Sequence, residues 1–169
     1  MRKWLFGIVV IFGSLTCKAQ GGKAEADTLH WFTSVGEVYN VSNASGKPIF
    51  AFFTGSDWCG WCHKLQREVF EKPAFVEWAG KNVVLLELDF PRRKVLAPEL
   101  AQQNQELQQV FRVGGYPTIW MFCLTKDEAA KKINISALGS LGYPPSAEKG
   151  KEEVAFLASA NRILTSCKK

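Results

Sequence analysis

The sequence predicts an α/β domain in which a central mixed β-sheet is flanked by helices on both faces. Three observations lead to this prediction. Nearly unbroken apolar runs, typical of buried strands, alternate with helical patterns along the first two thirds of the chain. Two further strand-like runs then form a hairpin, and a helical pattern closes the chain. The length of 169 residues suits one such domain and is too short for two.

Each predicted element follows from a local pattern of apolar, capping and turn residues. Ser34 or Thr33 can cap the first helix, and Lys72-Pro73 separates two helical pieces. Turns or loops are expected at 45–48, 90–94, 114–118, 126–128 and 139–145. The predicted strands cover 29–32, 49–53, 83–89, 119–124 and 132–138, and the predicted helices cover 35–44, 59–70, 74–79, 98–111 and 152–166.

The N-terminal segment is typical of a secretory signal peptide. Arg2 and Lys3 precede an apolar stretch that is too short to cross a bilayer, and small residues at the −3 and −1 positions, Cys17 and Ala19, then precede a cleavage site after Ala19. Residues 20–28 are small and polar, so they predict a flexible lead-in to a domain over 29–169. We therefore expect a periplasmic or otherwise exported protein. A poorer match to a bacterial lipobox at 14–17 leaves a lipoprotein anchored through Cys17 as the alternative.

Export changes the charge balance of the chain. The full sequence has 21 basic and 16 acidic residues, and the segment 1–19 holds three of the basic residues and none of the acidic ones. The mature chain is thus nearly neutral and has no long run of one charge, which argues against nucleic acid as a partner. The short run Arg92-Arg93-Lys94 is interpreted as a solvated loop.

The most informative motif is Cys59-Gly60-Trp61-Cys62, which follows a buried strand and opens a helical pattern. Two cysteines at this spacing can close a small disulfide ring. The unpaired N–H groups and the dipole at the start of a helix favour a thiolate, and thiolate is the species that attacks disulfides. The motif therefore predicts thiol–disulfide chemistry at Cys59 and Cys62.

Other roles for these cysteines fit less well. An inert structural disulfide is disfavoured because so small a loop adds little stabilisation through chain entropy. With His63 the motif is formally CxxCH, the attachment signature of c-type haem, and His30 could complete a zinc site. Cys123 lies in an apolar run and is predicted to be buried, and a Cys123–Cys167 disulfide is left open.

Together with two later segments, the motif resembles the thioredoxin superfamily, above all its exported bacterial members with a WCGWC active site. The three segments are 58–62 after a buried strand, 88–93 with the helix that follows it, and Val113-Gly114-Gly115-Tyr116-Pro117-Thr118 before a strand. The resemblance covers roughly residues 29–167 and implies a thioredoxin-like fold. It also implies that Pro117 is a cis-proline whose loop packs beside the two cysteines.

The motif and the resemblance together predict a role for each residue of the site. Cys59 is the nucleophile, and Cys62 resolves the mixed disulfide. Two residues of the later loop bind the substrate: Tyr116 and Pro117. Four neighbours support the cysteines, the aromatic ones by offering apolar surface to extended chains and the histidine, when cationic, by favouring a thiolate: Trp58, Gly60, Trp61 and His63.

The sequence departs from thioredoxin behind the cysteines. Thioredoxin has a buried aspartate in the strand before its CxxC, and the matching position here is Phe52 or Phe53. The lysine that partners this aspartate is replaced by an apolar residue near Leu85. The proton acceptor for Cys62 is therefore unassigned, with three candidates in the sequence: Asp57, Glu68 and Glu87.

These features predict an exported thiol–disulfide oxidoreductase, with reduction preferred by resemblance alone. The reaction needs no metal or organic cofactor. The expected partners are proteins with disulfides or thiols and an unidentified redox partner that recharges the enzyme, and we expect a monomer. The alternative is a non-catalytic peptide-binding or chaperone module of the same fold, which would hold extended chains on Tyr116, Trp58 and Trp61.

Overall fold

The computed structural model describes residues 29–127, 132–145 and 147–164. In chain order its elements are β1 (Trp31–Phe32), α1 (Val35–Ser45), β2 (Ile49–Thr54), α2 (Gly60–Leu65), a π-helical segment (Gln66–Phe70), α3 (Pro73–Asn82), β3 (Val84–Asp89), α4 (Pro98–Val110), β4 (Thr118–Asp127), β5 (Lys132–Leu141) and α5 (Glu152–Ile163). Within the described ranges the strands form one mixed sheet in the order β1-β3-β2-β4-β5. The first three strands in this order are parallel, and β4 and β5 are antiparallel to their neighbours.

The sheet separates two hydrophobic layers. Helices α1 and α4 cover one face, where Val38 and Leu107 belong to the buried cluster. Helices α2, α3 and α5 cover the other face, and both cysteines of the motif lie in that layer. The central strand β2 contributes side chains to both layers, because successive side chains point to opposite faces of a sheet. All residues of this strand are buried. The predicted α/β architecture with helices on both faces is confirmed.

The β4–β5 hairpin is longer than the pattern predicts. Lys126 and Asp127 were expected in a turn, but they belong to β4, with Asp127 paired opposite Lys132. Their side chains are exposed, and an antiparallel strand accepts polar residues where it faces solvent. The loop predicted at 139–145 is likewise wrong at its start, because β5 continues to Leu141.

Gly139 shows why a glycine occurs inside this strand. It pairs with Met121 next to a register shift in β4. A Cβ atom at this position would lie 2.9 Å from the Ile163 side chain, so the glycine allows α5 to approach the sheet closely. Cross-strand pairing and helix packing therefore override the low strand propensity of glycine.

The helix that carries the CxxC motif begins at Gly60, with Cys59 as its N-cap. The predicted helix at 59–70 is right in extent, but its second half is π-helical. Such π-helical turns occur frequently at functional sites. The closing helix α5 ends at Ile163, three residues before the predicted end.

Some predictions fall on parts of the chain outside the described residues. The signal peptide at 1–19 and the lead-in at 20–28 lie there, and so does Cys167. In the ranges that the structure does describe, none of the helices has both the length and the hydrophobicity that crossing a membrane requires.

Candidate active site

Cys59 and Cys62 form a disulfide at the start of α2, with an S–S distance of 2.04 Å and a Cα–Cα distance of 5.2 Å. Cys62 is fully buried, whereas Cys59 is 5% exposed. The backbone N–H of Cys62 points to the Cys59 Sγ at 3.1 Å. A donor in this position favours negative charge on Cys59 when the bond is reduced, because hydrogen bonding to the charged form stabilises it. The two sulfur atoms are therefore inequivalent in both exposure and hydrogen bonding.

A tight turn joins β2 to the first cysteine. The backbone N–H groups of Trp58 and Cys59 both donate to the Gly55 oxygen, at 3.1 and 2.8 Å. The Trp58 ring folds back over Gly55, where a Cβ atom would lie only 2.4 Å from the indole. The indole Nε1 donates to the Phe90 oxygen at 2.8 Å. Gly55 therefore provides the space that places Trp58 beside the motif.

A hydrogen-bonded chain links β3 to the motif through Ser56. Both carboxylate oxygens of Asp89 accept from Ser56, one from its backbone N–H at 2.8 Å and one from its hydroxyl at 2.6 Å. The backbone carbonyl oxygen of Ser56 lies 2.8 Å from the His63 Nε2. Because a carbonyl oxygen only accepts, Nε2 carries the hydrogen in this contact. Sequence reasoning singled out His63 but missed Ser56 and Asp89, although both follow or end parallel strands whose carboxyl ends meet at one edge of the sheet.

The predicted substrate loop lies next to this segment. The Tyr116–Pro117 peptide bond is cis. The Tyr116 ring makes an edge contact with Trp58 at 5.7 Å between centroids, and it stacks on Phe90 at 5.2 Å. Gln108 donates to the Tyr116 hydroxyl at 2.8 Å. Burial raises the pKa of Tyr116 above its ordinary value, and the bond from Gln108 opposes this shift. Trp58 and Tyr116, distant in sequence, thus share one aromatic cluster.

Trp61 faces the opposite side of the site and is 58% exposed. Its ring meets Tyr143 edge-on at 5.1 Å. The Lys64 ammonium lies 5.0 Å from the Trp61 ring centre and 4.7 Å from that of Tyr143. The Tyr143 hydroxyl donates to the carboxylate of Glu68, so this acid candidate, which lies in the π-helical segment, already has a hydrogen-bond partner. The predicted exposed apolar surface is present at Trp61, and Tyr143 is an addition that the sequence did not indicate.

The pKa values of the other two acid candidates, Asp57 and Glu87, are shifted in opposite directions. Asp57 accepts hydrogen bonds from the backbone N–H groups of Arg92 and Arg93, at 3.0 and 2.7 Å. The bond from Arg92, joined by that from Arg93, holds the pKa of Asp57 below its usual value. Glu87 is half-buried, and desolvation, with Asp89 adding to it and Lys94 opposing it, raises the pKa of this carboxyl.

Glu87 also lies on the face of the sheet that carries the cysteines. It pairs in register with Phe52, which belongs to the same buried cluster as Cys62. Phe52 and Phe53 are both fully buried, and Leu85 lies on the Cys62 side as well. The apolar replacements predicted behind the cysteines are therefore observed, and Glu87 is the acid candidate on that face.

The zinc and haem alternatives need side chains that are engaged elsewhere. Cys59 and Cys62 are bonded to each other, and the His63 Nε2 is bonded to Ser56. The His30 ring packs edge-on against Phe32 at 4.2 Å. Across the described ranges no three histidine, cysteine or acidic side chains are placed to share a metal ion.

Cys123 is 5% exposed in β4, which confirms its predicted burial. It is disulfide-bonded. Because Cys167 lies outside the described residues, the Cys123–Cys167 pairing stays open.

Comparison with known proteins identifies the family. The family model of the thioredoxin-like domain matches residues 35–129. The disulfide bond reductase DsbH of Chlamydia pneumoniae is 39% identical over 118 residues, which cover 70% of this chain and 70% of that protein. The thioredoxin-related protein DsbJ of the same organism is 27% identical over 140 residues. That match covers 83% of this chain but 38% of DsbJ, so the chain spans well under half of that relative.

Solved structures agree with this assignment. A DsbH oxidoreductase superposes with a TM-score of 0.66 at 31% identity, covering 86% of this chain and 92% of the other. A thioredoxin from Thermus thermophilus shares the fold, with a TM-score of 0.53, 18% identity and coverage of 80% and 86%. The chain therefore belongs to the thioredoxin-like domain family, and with Cys59 and Cys62 paired at the start of α2 it is a thiol–disulfide oxidoreductase. The predicted family, fold and enzyme class are confirmed.

Proposed function

We propose that this oxidoreductase reduces disulfides in exported proteins, with Cys59 as the nucleophile and Cys62 as the resolving cysteine. The observation that carries the proposal is the inequivalence of the two sulfur atoms. Cys59 is the more exposed one, and the Cys62 N–H points to its Sγ. A thiolate at Cys59 is therefore stabilised, and Cys59 is the less buried of the two cysteines. The similarity to a protein named as a disulfide bond reductase supports the reductive direction.

The proposed cycle has two exchange steps. In the first, the Cys59 thiolate attacks a substrate disulfide, an S–S bond to Cys59 forms, and one substrate sulfur leaves as thiolate. In the second, Cys62 loses its proton and attacks the Cys59 sulfur. The enzyme disulfide seen in the structure forms, and the second substrate sulfur leaves. The substrate gains two electrons, and a dithiol partner must later return them to Cys59 and Cys62.

Substrate contact is proposed on the surface that surrounds Cys59. By family resemblance, the backbone before Pro117 pairs with an extended substrate segment, which is recognition by edge addition. The contact between Trp58 and Tyr116 supports this role, because it brings the Pro117 loop beside the CxxC segment. The exposed Trp61 extends the surface on the other side. In this scheme Gly60 and His63 hold the geometry of the pair.

The cellular setting is also proposed. Residues 1–19 would act as a signal peptide and 29–169 as the mature domain, which works as a monomer in the periplasm or another exported compartment. The names of the Dsb relatives support a role in disulfide metabolism. Mass spectrometry of material exported by the native host should show an N-terminus at Gln20. A diacylglyceryl group on Cys17 would contradict this cleavage and indicate a lipoprotein.

An insulin-reduction assay tests the activity. With dithiothreitol as electron source, the mature protein should accelerate precipitation of the insulin B chain, and Cys59→Ser should abolish the acceleration. A wild type that is no faster than Cys59→Ser would remove the enzymatic proposal. In that case, suppression of aggregation of an unfolded client by both proteins would favour the chaperone alternative.

A further inference from the structure

The basic loop, residues 90–94, is fixed to the active-site segment. The Asp57 carboxylate accepts the backbone N–H groups of Arg92 and Arg93, at 3.0 and 2.7 Å. The Lys94 ammonium donates to the Ser56 hydroxyl at 3.0 Å. The Phe90 oxygen accepts from the Trp58 indole. Both ends of this loop are thus held by residues that directly precede Cys59.

This arrangement places positive charge at the rim of the site. The Arg92 guanidinium lies 3.8 Å above the centre of the Trp58 ring, in a cation–π contact. Arg92, Arg93 and Lys94 are all exposed. In the described part of the chain none of the three is ion-paired with a carboxylate. The sequence interpretation of this run as a merely solvated loop does not account for the anchoring.

Three carboxylates lie close to this charge, and Lys94 interacts electrostatically with two of them, Asp57 and Glu87. Asp57 accepts hydrogen bonds from the backbone of the basic loop, Asp89 accepts from Ser56, and Glu87 is half-buried on the sheet. The three basic side chains are exposed, whereas the three acids are half-buried. An incoming polypeptide therefore meets exposed positive charge on this side of Cys59.

A shallow groove continues this surface toward α4. Its lining holds one acid, Asp89, and one cation, Lys94, together with Leu96 and, on the helix, Ala101, Asn104 and Gln105. Val95 belongs to the same lining and is 98% exposed. Because this apolar side chain is exposed to solvent next to the basic loop, it offers contact area for a bound segment.

We propose that the basic loop and this groove form a docking surface for acidic substrate segments, in which aspartate or glutamate lies within a few residues of the cysteine that is attacked. The inference rests on the proposed function and adds a substrate class to it. Complementary charge raises the association rate and orients the partner, and the effect weakens as salt screens it. Attack on acidic substrates should therefore be faster than attack on neutral ones, and the advantage should be lost at high ionic strength.

The test isolates the first exchange step with the Cys62→Ser protein in its reduced form. Its Cys59 thiolate is reacted with disulfide-linked dimers of one peptide, whose cysteine is flanked by aspartate, serine or lysine. Each reaction forms the Cys59–peptide disulfide and releases one peptide thiolate. The rate ratio of acidic to neutral peptide should be about tenfold at low ionic strength. It should approach one near 1 M salt, where the screening length is about 3 Å.

Matched charge reversals locate the effect. Arg93→Glu should reduce the acidic-to-neutral ratio severalfold. Lys132→Glu, which changes the net charge equally at the far end of the β4–β5 hairpin, should leave the ratio unchanged. Equal rates for all peptides in the parent protein would overturn the docking surface while leaving the oxidoreductase intact, and so would a preference that survives Arg93→Glu. No reaction with any peptide would remove the proposed function itself. If Arg93→Glu fails to fold, the salt series on the parent protein decides.

Discussion

The His63 Nε2 lies 2.8 Å from the backbone oxygen of Ser56, so the residue that follows Cys62 is tied to the turn that precedes Cys59. Asp89 holds the same serine from β3 with both carboxylate oxygens. One polar chain thus joins a strand end, a turn and a helix around the disulfide. We expect it to stabilise the local structure in which the two sulfur atoms meet.

Removing the Asp89 carboxylate should destabilise the oxidised protein. Asp89→Ala should lower the free energy of unfolding by about 1.5–3 kcal/mol, because Ser56 loses a charged acceptor for two donors. Ser56→Ala removes the hydroxyl's bonds with Asp89 and Lys94 but keeps the bond from the backbone N–H to Asp89, so it should cost less than Asp89→Ala. Urea unfolding of both variants measures the difference. Equal losses would show that the bond to the Ser56 backbone N–H adds nothing.

Gly55→Ala should disturb the turn before the motif. The new Cβ atom would lie 2.4 Å from the Trp58 ring, which must then move and weaken its bond to the Phe90 oxygen. We expect a loss of about 1–3 kcal/mol in the free energy of unfolding, typical of overpacking, and a change in tryptophan fluorescence. Gly80→Ala is the control, because nothing lies within 4 Å of its Cβ position in α3. It should be neutral or stabilising by up to about 1 kcal/mol. A Gly55→Ala protein as stable as Gly80→Ala would contradict the steric argument.

The two cysteines should react asymmetrically. Cys62→Ser should trap mixed disulfides with substrate proteins, whereas Cys59→Ser should not, because only the more exposed sulfur attacks first. In the reduced protein, iodoacetamide at mildly acidic pH should label Cys59 ahead of Cys62, since the thiolate is the reactive form. Peptide mass spectrometry of a labelling time course measures the order. Faster labelling of Cys62 would reverse the proposed roles.

The contributions of Glu87 and Glu77 to the free energy of unfolding should change with pH in opposite directions. Burial raises the pKa of Glu87 above 4.5. Between 4.5 and the raised pKa, the folded state therefore holds a proton that the unfolded state has released. The free energy of unfolding falls as pH rises through this interval. Glu87→Gln should therefore be more stable than the parent at neutral pH, and the gain should shrink as pH falls through the raised pKa and be gone below 4.5.

Glu77 is the matched control for this prediction. The hydrogen bond from Lys81 lowers the pKa of Glu77 below 4.5, so its contribution is present above that value and is lost as pH falls through the lowered pKa. Glu77→Gln should therefore be slightly less stable at neutral pH and equal to the parent in acid. Urea midpoints across the pH range test both variants. A destabilised Glu87→Gln at neutral pH would show that this carboxylate has a favourable partner when charged.

The sequence by itself determined the fold class and the two reactive residues. Both depend on local information, since an apolar strand, a CxxC and a helical pattern follow one another within about twenty residues. The residues around Pro117 completed the family resemblance because that loop is also a short local motif. Boundaries were less predictable, and the β4–β5 hairpin is longer because cross-strand pairing outweighs the local preferences of Lys126 and Gly139.

Only the tertiary structure decided which polar and aromatic partners surround the cysteines. Ser56 meets Asp89 across 33 residues of sequence, Asp57 meets Arg92 across 35, and Tyr143 meets Glu68 across 75. Such contacts depend on strand register and on how loops pack over the end of the sheet, and no local pattern specifies either. The anchoring that makes Arg92, Arg93 and Lys94 part of the active-site rim is of this kind, because a charge run looks the same in sequence whether its loop is free or held.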